Sequence, residues 1–184
     1  MNALIDLNIK SYNNNNNNNI SNELLNTVLV NQLKQLGLNL HKLKRLSLIL
    51  FGENVKQLII ETINQNFKQL KRLEINGYFP KDYVLMSESL NRCKRLTHLT
   101  LQNKHEFEIK EIFFKDIDKH LPKLQYLKIR DADLTDKALN SLTKLTKLQT
   151  FRLLYNINEN ITESGVNYLM ENCPKIIQIF VNYS

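Results

Sequence analysis

The chain has no tryptophan and, in 184 residues, only four glycines, three prolines and two cysteines. Each scarcity removes a class of function. The glycines stand alone at positions 37, 52, 77 and 165, so neither a GxGxxG turn nor a Walker loop can be written, and a backbone cradle for phosphate is not expected. Cys93 and Cys173 belong to no CxxC or Cys/His cluster, which argues against a disulfide framework or a zinc site. His41, His98, His105 and His120 lack the spacing of metal ligands on one strand or helical turn, and there is no GxSxG elbow for a nucleophilic serine. The sequence therefore predicts no enzyme, no metal and no cofactor. Every apolar run is broken by Lys, Asn or Glu before it reaches the roughly 18 to 20 residues of a membrane helix, so no membrane partner is expected. Met1 to Lys10 has no positive start, apolar stretch or small-residue cleavage site, and the default expectation is an intracellular protein, cytoplasmic or nuclear.

What is present is leucine in a regular arrangement, within a chain that is 42% hydrophobic but has a mean hydropathy of -0.36. The segments Leu43-Leu46-Leu48, Leu70-Leu73-Ile75, Leu96-Leu99-Leu101, Leu124-Leu127-Ile129, Leu148-Phe151-Leu153 and Ile176-Ile179-Val181 all read LxxLxL. Their central residues fall at a period inside the roughly 20 to 29 residues of a strand-and-helix repeat. Three residues before each unit stands another apolar column, Leu40, Phe67, Cys93, Leu121, Leu145 and Cys173, which places both cysteines in a buried ladder as reduced core residues. Between the units the period lengthens to 3.6. Val55, Leu58, Ile59 and Ile63 share one helical face, and Ile109, Ile112, Phe113 and Ile117 share another. Thr135 and Thr162 precede acidic residues as helix N-caps, and Pro122 and Pro174 follow helix ends. Upstream, Leu4-Leu7-Ile9 repeats the motif, and a helix capped by Ser21 would carry Leu25, Val28, Leu29, Gln32, Leu33 and Leu36 on one face. The tract around Asn13 to Asn19 makes residues 11–20 an Asn-rich disordered loop inserted in this first unit. The spacing predicts seven parallel strands near 5–9, 44–48, 71–75, 97–101, 125–129, 149–153 and 177–181.

Leu134-Thr-Asp-Lys-Ala-Leu139 and Ile161-Thr-Glu-Ser-Gly-Val166, with Leu169-Met-Glu-Asn-Cys-Pro174, resemble the cysteine-containing subfamily of leucine-rich repeats, the F-box-associated, ribonuclease-inhibitor-like group. The match covers the last two units; the earlier ones keep LxxLxL without the Thr-Asp turn. The resemblance implies an α/β leucine-rich repeat solenoid, a right-handed β-α superhelix with a curved parallel sheet and convex helices, formed by residues 1–184 as a single domain of about seven repeats. One departure is that the third position after each motif, usually Asn or Cys in that family, holds Phe51, Tyr78, Lys104, Ala132, Asn156 and Ser184.

On strands of period 2 the residues between the leucines face away from the core. They form three columns. The first runs Asp6, Arg45, Arg72, His98, Tyr126, Thr150 and Gln178; the second Asn8, Ser47, Glu74, Thr100, Lys128, Arg152 and Phe180; the third Lys10, Ile49, Asn76, Gln102, Arg130, Leu154 and Asn182. Arg45, Arg72, Lys128, Arg130 and Arg152, interleaved with His98, Tyr126 and Phe180 and joined by Glu74, make the expected partner-binding surface, with Arg72 and Arg152 facing solvent. The chemistry-poor remainder points to a non-catalytic protein-protein interaction module with a protein partner. The resemblance narrows this to substrate recognition for a ubiquitin ligase, although no F-box helix bundle can be read before Leu4. Nucleic-acid or polyanion binding through the basic concave stripe is the alternative, supported by a net charge of +7 and a pI near 9.3. Much of the lysine, at Lys42, Lys71, Lys94, Lys123 and Lys147, lies off that stripe where the strands begin. With the first motif at Leu4 and the last at Val181, neither end has room for a polar cap, and self-association through the end strands is a further expectation.

Overall fold

The computed structural model describes residues 6–10, 19–39, 42–50, 56–77, 90–103, 109–156 and 159–183. The fold is α/β with a single, all-parallel sheet. The elements are β1 (Asp6–Lys10), α1 (Asn19–Asn39), β2 (Arg45–Leu50), α2 (Lys56–Asn66), β3 (Arg72–Gly77), β4 (His98–Asn103), β5 (Ile109–Lys110), a 3-10 turn (Glu111–Phe114), α3 (Ile117–His120), β6 (Tyr126–Asp133), α4 (Asp136–Leu142), β7 (Thr150–Asn156), α5 (Glu163–Asn172) and β8 (Gln178–Tyr183). Seven strands follow one another in chain order, β1-β2-β3-β4-β6-β7-β8, and the two-residue β5 pairs with β6 beside that path.

The apolar alternation sets the register. Leu46, Leu73, Leu99, Leu127, Phe151 and Ile179 are successive Cα partners, as are Leu48, Ile75, Leu101, Ile129, Leu153 and Val181. From Leu46 to Leu153 these residues are at most 2% exposed and form one core with Leu33, Ile63, Leu139 and Leu169 of the helices. The helices therefore cover one face of the sheet and leave the polar columns on the other. From β2 onward each strand begins one residue later than the leucine spacing predicts and runs further, to eight residues in β6. At the starts of β3, β4, β6, β7 and β8 two successive N–H groups donate to the carbonyl just before the neighbouring strand: Lys71 and Arg72 to Lys44, Thr97 and His98 to Lys71, Gln125 and Tyr126 to Thr97, Gln149 and Thr150 to Gln125, Ile177 and Gln178 to Gln149.

The upstream apolar column is buried at Phe67, Cys93, Leu121, Leu145 and Cys173; Leu40 lies outside the described residues. Each of these five accepts, at its carbonyl, the N–H of the first residue of the following motif, at 2.9–3.1 Å in every case. Burial pushes the Cys93 thiol up to about 12, so it stays protonated and unreactive at neutral pH. The Cys173 thiol is also raised by burial, and its Sγ lies 3.7 and 3.8 Å from the Leu145 and Leu148 carbonyls.

Two helical expectations are corrected. Residues 109–117 do not form one helical face. Ile109 instead joins the sheet opposite Ala132, the adjacent Phe113 and Phe114 are both buried and meet edge to face at 5.2 Å, and Ile112 is 38% exposed. Branched and aromatic residues favour helix weakly, and Asp116, with φ 54°, breaks the chain before α3. In α1 the helix begins at Asn19, so Ser21 lies within its first turn instead of capping it and residues 19 and 20 of the expected loop are helical. Residues 11–18 lie outside the described residues. Val30 and Leu33 are buried in α1 while Val28 is 47% exposed; leucine and valine occur all round this helix, so spacing alone does not choose a face. Leu4 and Val55 lie outside the described residues, and of α2's expected face Ile63 is buried.

The expected caps hold in α4 and α5. Thr135 Oγ1 accepts from Lys137 N at 3.2 Å, and Thr162 Oγ1 accepts from Gly165 N at 3.1 Å. Each cap also reaches the preceding unit: Thr135 Oγ1 donates to the Glu111 carboxylate, and Thr162 donates through N and Oγ1 to Asp136 at 2.9 and 2.7 Å. A Cβ on Gly165 would stand 2.0 Å from Asp136 Oδ1, so only glycine leaves room for this bridge.

Candidate functional site

The exposed face of the sheet gathers the predicted residues by register. Arg45, Arg72, His98 and Tyr126 are successive partners in one row. Glu74, Thr100, Lys128, Arg152 and Phe180 are successive partners in the next. Strands about 4.8 Å apart thus carry cations side by side twice, Arg45 with Arg72 and Lys128 with Arg152. Like charges directly opposite each other are unfavourable in a sheet.

Between the two pairs lies an aromatic stack. The rings of His98 and Tyr126 are 5.6 Å apart at 22°. Thr97 Oγ1 lies 3.0 Å from the Lys71 carbonyl and 2.9 Å from His98 Nδ1, which anchors the imidazole ring on its own strand. Burial, then the positive charges of Arg72 and Arg45, hold His98 below the usual histidine range. The ring is neutral at pH 7. Glu74 Oε1 accepts from Asn76 Nδ2 at 3.2 Å and Gln102 Nε2 at 3.3 Å, which fixes this carboxylate as a local acceptor.

Arg152, expected to face solvent, is half-buried. Its guanidinium lies 5.3 Å from the centre of the Phe180 ring, and its Nε is buried without a hydrogen-bond partner. A buried N–H left unmatched costs about 1–3 kcal/mol. Arg72 is exposed as expected. Arg130 stands at the margin of the face: its guanidinium lies 4.6 Å from the Tyr155 ring, and its Nε is 3.5 Å from Asp131 Oδ2.

Tyr155 and Asp131 escape the sequence reading for a geometric reason. Strict alternation assigns both to the core side of their strands. Both have φ 56°, and Gly77, at the same place after its motif, has φ 135°; this left-handed residue interrupts the alternation where the strand ends. The next position carries Asn156, fully buried, whose side chain accepts from Leu134 N at 3.0 Å and donates to Leu134 O at 3.1 Å. Ala132 is buried at the equivalent place, while Phe51, Tyr78, Lys104 and Ser184 lie outside the described residues.

Among the described residues no group of three His, Cys, Asp or Glu side chains is placed to hold a metal ion, and no helix is long and apolar enough to cross a membrane. The sequence matches no family model and no curated protein.

Proposed function

We propose that this chain is a leucine-rich repeat solenoid that works without catalysis, as a protein-protein interaction module gripping its partner on the exposed sheet face. The observation that carries the reading is a set of cations and aromatic rings gathered on rigid support. Two cation pairs flank the His98–Tyr126 stack, and Arg152 keeps a buried Nε with no partner of its own. Arginine and aromatic residues on a stiff surface are what interface anchors are made of, and a parallel sheet whose strands are joined at every start holds them in place before binding. The resemblance of the last two units to F-box-associated repeats narrows the proposal to substrate recognition for a ubiquitin ligase.

The test is affinity capture with mass spectrometry, comparing wild type with Arg72→Glu combined with Lys128→Glu. The double variant is expected to lose the captured partners while its melting temperature stays within about 2 °C, since neither side chain supports the core. Identical captured proteins from both would remove this face as the site.

A further inference from the structure

The cations that lie off the exposed face converge elsewhere. Because the strands are parallel and in register, the turns that lead into them line one rim of the sheet. The position immediately before each motif holds Lys42, Arg95, Lys123, Lys147 and Lys175, all exposed, with Gln69 completing the column. Lys68, Lys94 and Lys144 stand exposed in the same turns. Neighbouring turns are tied together: Arg95 Nη1 donates to Gln69 Oε1 at 2.6 Å, Lys94 Nζ donates to the Lys119 carbonyl, and Arg92 N donates to Asn64 Oδ1 at 2.7 Å. Among the described residues the rim holds one ion pair, Lys119 to Asp116 at 2.8 Å. The opposite rim, where strands end and helices begin, carries Asp131, Asp133, Asp136, Glu159 and Glu163, so the charge is polarised along the strand direction.

Helix C-termini explain part of this. α1, α2, α3 and α5 end at the basic rim, and one cation near each end offsets the helix dipole. Five of the six turns hold two or three cations and the last holds Lys175 alone, beyond what that role asks in the five. We propose that this rim docks the sugar-phosphate backbone of duplex nucleic acid. Six strands at about 4.8 Å make a row about 24 Å long, which faces about seven phosphates of one strand of a duplex at about 3.4 Å each. Eight of the cations named at the rim are lysines, point charges suited to phosphate and not to bidentate carboxylate recognition. No aromatic side chain is exposed among the described residues of these turns, so bases have no stacking platform. Ile177 and Leu38, the large exposed apolar residues nearest the rim, stand at opposite ends of it, unlike the continuous apolar face that enters a lipid interface. The contact is sequence-independent.

Fluorescence anisotropy with a labelled mixed-sequence DNA duplex of roughly 24 base pairs, titrated at several salt concentrations, tests it. With about five phosphates engaged, affinity should fall about 500-fold between about 50 and about 200 mM salt, a log–log slope of about -4.5. Lys42→Glu, Lys123→Glu, Lys147→Glu and Lys175→Glu together should flatten that slope by about 3.6 and weaken binding by at least about 30-fold at low salt. A control with the same charge change on exposed residues elsewhere, Lys34→Glu, Lys110→Glu, Lys115→Glu and Lys137→Glu, should stay within about 3-fold of wild type. Should the charge reversals disturb folding by circular dichroism, the four Lys→Gln rim substitutions replace them, with the same ordering expected. The proposal is overturned if the duplex does not bind or if the control weakens binding as much as the rim variant. It is equally overturned if poly-glutamate competes as well as unlabelled duplex, or if vesicles with about one quarter phosphatidylserine bind more tightly than the duplex.

Discussion

Helices α4 and α5 are fixed to the preceding units by the oxygens at their N-terminal caps, whereas α1 and α2 have no such cap bridge among the described residues and enter the core through apolar side chains, α2 reaching the following unit through Asn64 Oδ1, which accepts from Arg92 N. In the later half, Glu111 reaches the Thr135 cap and Asp136 reaches the Thr162 cap, so each acidic first turn positions the helix that follows. The earlier pair has no acidic residue in either first turn; it contributes Val30, Leu33 and Ile63 to the core. Both solutions keep the sheet in register. The polar one allows helices of seven and ten residues, too short to be stable alone. The apolar one goes with helices of 21 and 11 residues.

Four measurements would break or sharpen this contrast. The largest effect belongs to the apolar half: Ile63→Ala, at a fully buried position, should cost about 2–5 kcal/mol in urea unfolding. A cost below 1 kcal/mol, on the order of a surface substitution, would show that hydrocarbon does not hold α2. Next come the two cysteines, one in each half. Cys93→Ser buries a hydroxyl among apolar neighbours and should cost about 1–3 kcal/mol; Cys173→Ser should cost less, because the Leu145 and Leu148 carbonyls stand ready to accept. Equal costs from thermal unfolding would deny the Cys173 carbonyls that role.

Gly165→Ala should cost about 1–2 kcal/mol, since the new methyl group must drive the Asp136 carboxylate off Thr162. The same substitution made in Asp136→Ala should be nearly neutral, and a full additive loss in the double-mutant cycle would contradict the bridge. The smallest effect is electrostatic. His98 should titrate below the usual histidine value by nuclear magnetic resonance, and Arg72→Gln should raise its midpoint because one of the repelling charges is gone. Since the unfolded chain takes up its proton at higher pH than the folded one, this group's contribution is lost as pH falls below about 6.5. A midpoint unmoved by Arg72→Gln would remove Arg72 as a cause and leave burial and the Arg45 charge.

Period 2 suffices to place Arg45, Arg72, His98 and Tyr126 in one row, because parallel strands joined by similar lengths of chain cannot slip by one residue without turning their leucines to water. The same logic places Glu74, Lys128, Arg152 and Phe180. It fails at Tyr155, where a left-handed residue ends the alternation, and the helical period of 3.6 fails at Ile112, where two neighbouring phenylalanines take the core instead. Alternation also says nothing of how deeply a long side chain settles: Arg72 and Arg152 share the exposed face in neighbouring rows, yet Arg72 is exposed while Arg152 is half-buried against the ring of Phe180. A pattern of residue types carries direction. It does not carry the rotamer chosen against the next strand.

The chain-order pairing of the seven strands has a mechanical consequence. No strand lies between two others that come much earlier and much later in the chain, so no single interface locks the ends together. Tension applied between residues 6 and 183 would strip β1 or β8 from its one neighbour and then load the next strand in the same way. The molecule should lengthen in successive steps, not one rupture, and the segment bridged by Thr162 and Asp136 should part at a higher force than its length alone would suggest.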